Sequence, residues 1–213
     1  MRMKLTGING FIYRICTLIM QFSYLQLLWI CYTVLGLGVF GIFPATAAMF
    51  SVVRKWIMGE SDIPVYQTFW KTYKNEFLKV NMLGLILTAI GWILYIDYHY
   101  FTFGESVVSS VIKIVTLIVT YFFITTCIYF FPVYVHYRYR LMDYIKFSFL
   151  YSLASPLKSA GIFIISSVIY YLFMKVPVVF IFFSGSAISY IWMWYVYTTI
   201  DRLRSNNKKG IVD

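Results

Sequence analysis

Charge is scarce in this chain: of 213 residues only 12% are Asp, Glu, Lys or Arg, against roughly a quarter in an ordinary soluble domain. With 61% of its residues hydrophobic, the chain has too little polar surface to cover a soluble globule, and that class is excluded. Acidic residues are scarcer still, 8 against 18 Lys and Arg, which leaves a net charge of +10. In a soluble protein that imbalance would point to nucleic acid. Here the cations sit in clusters between long uncharged runs, so the pattern is membrane topology and no nucleic-acid partner is expected. Cysteine is limited to Cys16, Cys31 and Cys127, each inside an apolar run and none in a Cys-x-x-Cys pair; they are expected to be buried, reduced and structural. Histidine is limited to His99 and His136, each near the end of an apolar run. There is no Gly-rich phosphate loop ending in Lys-Ser or Lys-Thr, no His-Glu-x-x-His and no Gly-x-Ser-x-Gly. ATPase, zinc-protease and serine-hydrolase chemistry are thereby excluded, and the chain reads as non-enzymatic, with neither a metal nor a cofactor.

What is present is a series of uncharged runs, 15–53, 80–96, 114–137, 159–174 and 176–200. A membrane-spanning helix needs about 20 apolar residues, so four of these runs predict one span each. The run 15–53 is too long for one helix: at 1.5 Å per residue it would reach about 58 Å, nearly twice the hydrocarbon thickness. Its middle holds Gly36, Gly38, Gly41 and Pro44, residues that turn a chain or start a helix. The prediction is an all-α polytopic transmembrane bundle of six spans in a single integral membrane domain, 1–213. The alternative is five spans plus an interfacial helix over 45–58. A Met1-to-Lys4 basic start followed by an apolar stretch also resembles a signal peptide with an Ala45-Thr46-Ala47 cleavage site. The apolar region is about twice the usual h-region, so it is retained in the mature chain.

Six spans place every Lys and Arg except Lys113 and Lys175 on one side, and by the positive-inside rule that side is cytoplasmic. Residues 54–79 and 136–158 are then cytoplasmic connections, 201–213 a cytoplasmic tail, and Asp97, His99 and Glu105 lie outside. A weak repeat pairs Phe43-Pro44 with Phe131-Pro132, each followed by a basic aromatic segment and a Leu-Lys step; it predicts that both prolines lie at cytoplasmic helix ends. In 64–79, Phe69, Tyr73 and Phe77 recur every fourth residue while Lys71 and Lys74 point away, which predicts an amphipathic helix on the inner surface. Residues 139–155 form a second such connection, with Met142, Ile145 and Phe149 at helical spacing. Basic side chains meeting lipid head groups account for both segments, and docking of a partner is the functional alternative. The outer stretch 95–101 reads as an aromatic belt or, less simply, as a sugar or cation site. Small-residue stripes at Gly41, Ala45, Ala47 and Ala48, at Gly84, Ala89 and Gly91, and at Ser184 to Ala187 predict close helix packing.

Specific strings carry more than composition does. Leu27-Leu28-Trp29, then Gly41-Ile42-Phe43-Pro44-Ala45-Thr46-Ala47-Ala48 and Val53-Arg54-Lys55-Trp56 occur in order, followed by Thr68-Phe69-Trp70-Lys71, Asn81-Met82-Leu83-Gly84, Phe131-Pro132 and Pro156-Leu157-Lys158. On these residues the chain resembles the YesL-like family of bacterial membrane proteins. The resemblance implies a multi-pass protein of the bacterial plasma membrane that accompanies carbohydrate uptake, as an accessory or assembly partner of a carbohydrate ABC importer and its permease. The chain lacks the Glu-Ala-Ala-x-x-x-Gly loop of such a permease. Arg54, Trp56, Phe69 and Trp70, clustered on the expected inner face, are the candidate partner-binding residues. A self-contained facilitator or channel for a neutral solute is the alternative, motivated by the Gly-rich stretch 36–44.

Overall fold

The computed structural model describes residues 8–60, 62–101 and 107–209. It is all-helical: α1 (Ile8–Leu35), α2 (Val39–Ile57), α3 (Val65–Phe101), α4 (Val107–His136), α5 (Leu141–Ala154), α6 (Pro156–Met174) and α7 (Pro177–Lys209). The basic start from Met1 to Lys4, Glu105 and the last four residues of the expected tail lie outside the described residues; 201–209 continue α7. Among the described residues five helices are long and apolar enough to cross a membrane: α1 from Ile15, α3, α4, α6 and α7.

The centre of the bundle is α2, packed against α1, α3, α4 and α7. Ala45, Ala47, Ala48, Val52 and Val53 are fully buried and Met49 and Phe50 nearly so. A helix so enclosed is a core element of the bundle, and it is not one of the five helices long and apolar enough to cross a membrane. The chain reaches α2 through a tight turn in which Leu37 and Gly38 take φ of 60° and 71°, the region glycine enters at least cost. Beyond the turn α1 and α2 meet backbone to backbone, and a Cβ added at Gly41 would fall on the main chain of Thr33.

Three of the strings singled out in the sequence converge here. Pro44 has no N–H to complete the helical bond to Phe40, and the amide of Asn81 on α3 donates to the Phe40 carbonyl instead, at 2.9 Å. Trp29 Nε1 on α1 donates to Thr46 Oγ1 at 3.0 Å. A Cβ on Gly84 would lie 2.5–2.6 Å from the Phe43 ring, so the absence of a side chain on α3 is what seats that ring. On α7, Gly185 lets Gln26 approach, and Gln26 Oε1 accepts the Ser186 N–H at 2.9 Å. The small-residue stripes at Gly41 to Ala48, Gly84 and Ser184 to Ser186 therefore serve packing within the chain.

Several expectations are corrected. Residues 64–79 are not a separate surface helix. Residues 65–79 are the first turns of the 37-residue α3, because nothing between Leu78 and Asn81 breaks a helix, and Phe69 and Tyr73 point into the core against Tyr32. In the second connection the buried face of α5 is Tyr144, Ser148 and Ser152, with Ile145 packed beside it and Phe149 meeting Phe122 of α4 at its edge, 6.4 Å between ring centroids, while Met142 is exposed. Tyr144 meets Tyr134 at 4.6 Å between ring centroids and Ser152 hydrogen-bonds Thr125, so α5 runs antiparallel along α4. The break before α6 is held by the Tyr121 hydroxyl, which donates to the Pro156 carbonyl at 2.7 Å. The repeat fails at the prolines. Phe50 stacks on Phe131 at 5.6 Å, which sets Pro132 level with the far half of α2, whereas Pro44 lies beside the opposite turn. Residues 95–101 continue α3 as helix, with Tyr95 stacked on His99 at 6.2 Å. The cysteines are free, but Cys16 and Cys31 are exposed on the bundle's outer surface because α1 is peripheral.

Candidate functional site

The end of the bundle where α2 stops, α3 starts and α4 gives way to α5 carries most of the chain's charge. These four segments do not close on one another and leave a vestibule of about 1000 Å³. Six basic side chains line it: Arg54 and Lys55 from the last turn of α2, Lys71 and Lys79 from α3, and Arg138 and Arg140 from the connection between α4 and α5. Among the described residues, Glu76 is the one carboxylate in the lining. It is already engaged, accepting a hydrogen bond from the Tyr134 hydroxyl at 2.6 Å and pairing with Lys79 at 3.7 Å. Arg54 is half-buried and its Nε donates to His136 Nδ1 at 3.4 Å, which fixes it in the wall. Part of the repulsion between these cations is offset by the carbonyl ends of α2 and α4, whose dipoles favour positive charge. A cavity of this volume is about 10 Å across, so each like pair costs roughly 0.5–2 kcal/mol between the surface and aqueous dielectric limits.

Opposite the lysines stands an aromatic wall. Tyr137 stacks on Tyr139 at 5.2 Å, and Tyr139 lies 5.8 Å from Tyr144. The wall is fixed by hydrogen bonds: the Tyr139 N–H donates to the Tyr144 hydroxyl, which in turn donates to the Tyr137 carbonyl, at 3.1 and 3.2 Å. Burial above all, with neighbouring phenols second, holds the Tyr139 and Tyr151 hydroxyls above the ordinary phenol value, so these rings are neutral hydrogen-bonding groups across the physiological range.

A second cavity, of about 490 Å³, lies between α2, α3 and α4 and is almost wholly apolar, with Phe43, Leu87, Gly91, Trp92, Phe123 and Phe130 in its lining. Gly91 opens it, since a Cβ there would sit 3.2 Å from the Phe123 ring.

The four residues expected to form one contact face are dispersed. Arg54 lines the vestibule. Trp56 packs on Phe22 at 5.7 Å and its buried Nε1 has no hydrogen-bond partner among the described residues. Phe69 is fully buried, so it is a core residue of α3, and Trp70 is the one that is exposed, 42%, while stacking against Tyr73. Sequence reasoning did not foresee the vestibule. Its signal was present in the two basic clusters at 54–79 and 138–158, which only tertiary contact shows to face one space.

Comparison with known proteins supplies the relationships. Residues 22–98 match the family described as "Protein of unknown function, DUF624". The uncharacterized protein YteU of Bacillus subtilis (strain 168) is 39% identical over 198 residues, 93% of this chain and 89% of that protein. Two further proteins of the same strain align nearly as fully: YesV at 35% over 89% of this chain and 91% of its own, and YesL at 34% over 87% and 85%. No solved structure matches the chain. With the strings that meet around α2 lying inside the matched region, the chain belongs to the YesL-like DUF624 family.

Proposed function

We propose that this protein is a non-enzymatic, multi-pass accessory or assembly partner of a carbohydrate ABC importer in the bacterial plasma membrane, and that it acts by contact rather than by conduction. The observation that carries this reading is the density of the bundle's centre. Met49, Phe50, Tyr129 and Phe130, each at most 1% exposed, belong to the two clusters that pack α2 and α4 into the core. The importer as partner comes from the family resemblance. The Gly-rich stretch that motivated a facilitator is used up in the α1–α2 turn and its backbone contact.

In the same proposal α2 is a sixth span. Its 19 residues reach about 28 Å, it forms a hairpin with α1, and six spans put the vestibule and its cations in the cytoplasm. Trp70, exposed near that end, is the contact residue retained from the four.

The test is to solubilise the tagged protein in mild detergent from its native host under sugar-fed growth and identify its companions by mass spectrometry. Stoichiometric recovery of a sugar permease and its ATPase is expected, with at least a severalfold loss for Trp70→Ala at unchanged expression. Recovery of the protein alone, together with sugar flux into liposomes that contain nothing else, would replace this reading with the facilitator.

A further inference from the structure

We propose that the vestibule between α2, α3, α4 and α5 is a binding site for the phosphate ester of a polyol. The inference stands on the cavity itself and holds whether or not an importer is the partner.

Charge sets the first part of the ligand. Two basic stretches far apart in sequence, 54–79 and 138–140, bring six cations to one space, and the only carboxylate in the described lining is already satisfied by Lys79 and Tyr134. Lys55, Lys71, Arg138 and Arg140 have no acidic partner among the described residues. An anion of at least two charges relieves their mutual repulsion, whereas a neutral ligand leaves it in place. Arginine forks match phosphate oxygens in pairs, and a lysine adds a point charge. The 14-residue α5 also begins at this rim: Arg140 is its N-cap, no side chain caps its first turn, and Arg140, Leu141 and Tyr144 all line the cavity. The positive end of the α5 dipole adds to the guanidinium groups there, and Asp143 in the same turn offsets part of it.

Size and lining set the second part. A phosphate group fills about the space of two or three waters at roughly 30 Å³ each, a small share of 1000 Å³. The remaining space is bounded by the Tyr137, Tyr139 and Tyr144 wall and by the amides of Gln67 and Asn75. Aromatic faces pack on the C–H groups of a polyol, while amides and neutral phenols meet its hydroxyls. Two sources share this chemistry: the glycerophosphate head group of an anionic lipid, reached from the inner leaflet, and a soluble sugar phosphate.

The test uses the full-length protein in phosphatidylcholine nanodiscs. Cardiolipin is titrated and read by native mass spectrometry, and glucose 6-phosphate is titrated by calorimetry with glucose as its uncharged control. Arg138→Gln/Arg140→Gln alters two exposed side chains of the vestibule. Lys74→Gln/Lys146→Gln removes the same charge from exposed positions outside it. Loss of two charge-assisted contacts is expected to weaken binding by about tenfold to a thousandfold for the vestibule pair and less than twofold for the control pair. That result with cardiolipin identifies a lipid head group, and with glucose 6-phosphate a soluble ligand; either supports the site. The proposal is overturned if neither probe binds better than its uncharged counterpart, or if both double variants lose affinity equally, which would be general surface charge.

Discussion

The bond between Asn81 and the Phe40 carbonyl offers a sharp test of why α2 tolerates a proline in its second turn. Pro44 deprives Phe40 of its helical donor, and Asn81 replaces it at 2.9 Å. Asn81→Ala removes that donor but also removes Asn81 Oδ1, a buried oxygen with no partner among the described residues. The single substitution therefore has two opposing contributions, each about 1–3 kcal/mol, and its sign alone decides little. A double-mutant cycle with Pro44→Ala cancels the second contribution. In the Pro44→Ala background the restored N–H bonds Phe40, so losing Asn81 no longer strands a carbonyl. Asn81→Ala is therefore expected to cost about 1–3 kcal/mol more in the native chain than in the Pro44→Ala variant. At roughly 2–4 °C per kcal/mol for a chain of this size, that is a difference of about 2–12 °C between the two shifts. Thermal midpoints in detergent, read as the folded fraction by size exclusion, measure it. Equal shifts in the two backgrounds would refute the account of the proline.

Other expectations follow from the same contacts. Gly41→Ala pushes a Cβ into the Thr33 main chain, whereas a Cβ at Gly161 meets only the Tyr195 hydroxyl at 3.6 Å. The first should destabilise by about 1–3 kcal/mol and the second stabilise by up to about 1 kcal/mol through helix propensity, so thermal midpoints that move in the same direction would contradict the close approach of α1 and α2. In a background without the three native cysteines, Leu37→Cys should react with a membrane-impermeant maleimide on intact cells and Met58→Cys only after permeabilisation; labelling of both from the same side would remove α2 as a span. Tyr139 and Tyr151 ionise above the ordinary phenol value of 10.0 in the folded chain, so the unfolded chain releases these protons first. Stability should be unaffected by them between pH 7 and 9 and fall as pH rises past about 10, and Tyr139→Phe/Tyr151→Phe should flatten that fall; an unchanged alkaline slope in the variant would show that these phenols do not carry it.

Residue patterns made the helical membrane class legible because uncharged runs near 20 residues have few other uses in a folded chain. They also marked the glycines of the α1–α2 turn and the small-residue stripes, since close packing needs the missing Cβ whatever the partner helix is. Phe69, Tyr73 and Phe77 were harder. A stripe of rings every fourth residue satisfies a lipid surface and a protein core equally well, and spacing cannot tell one apolar neighbour from another. The Ser148 and Ser152 face of α5 was hidden for the opposite reason: small hydroxyls look like solvent residues until Thr125 is found beside them.

The sequence by itself determined that the chain folds as apolar helices in a bilayer, which end carries the cations, and to which family it belongs, because hydropathy, charge and short strings are local properties. Only tertiary structure decided that α2 lies at the centre, that Asn81 stands in for the donor Pro44 lacks, and that two basic clusters more than 50 residues apart enclose one vestibule. Those facts depend on which helix packs against which, and that choice is made by shape and hydrogen-bond geometry between residues distant in the chain.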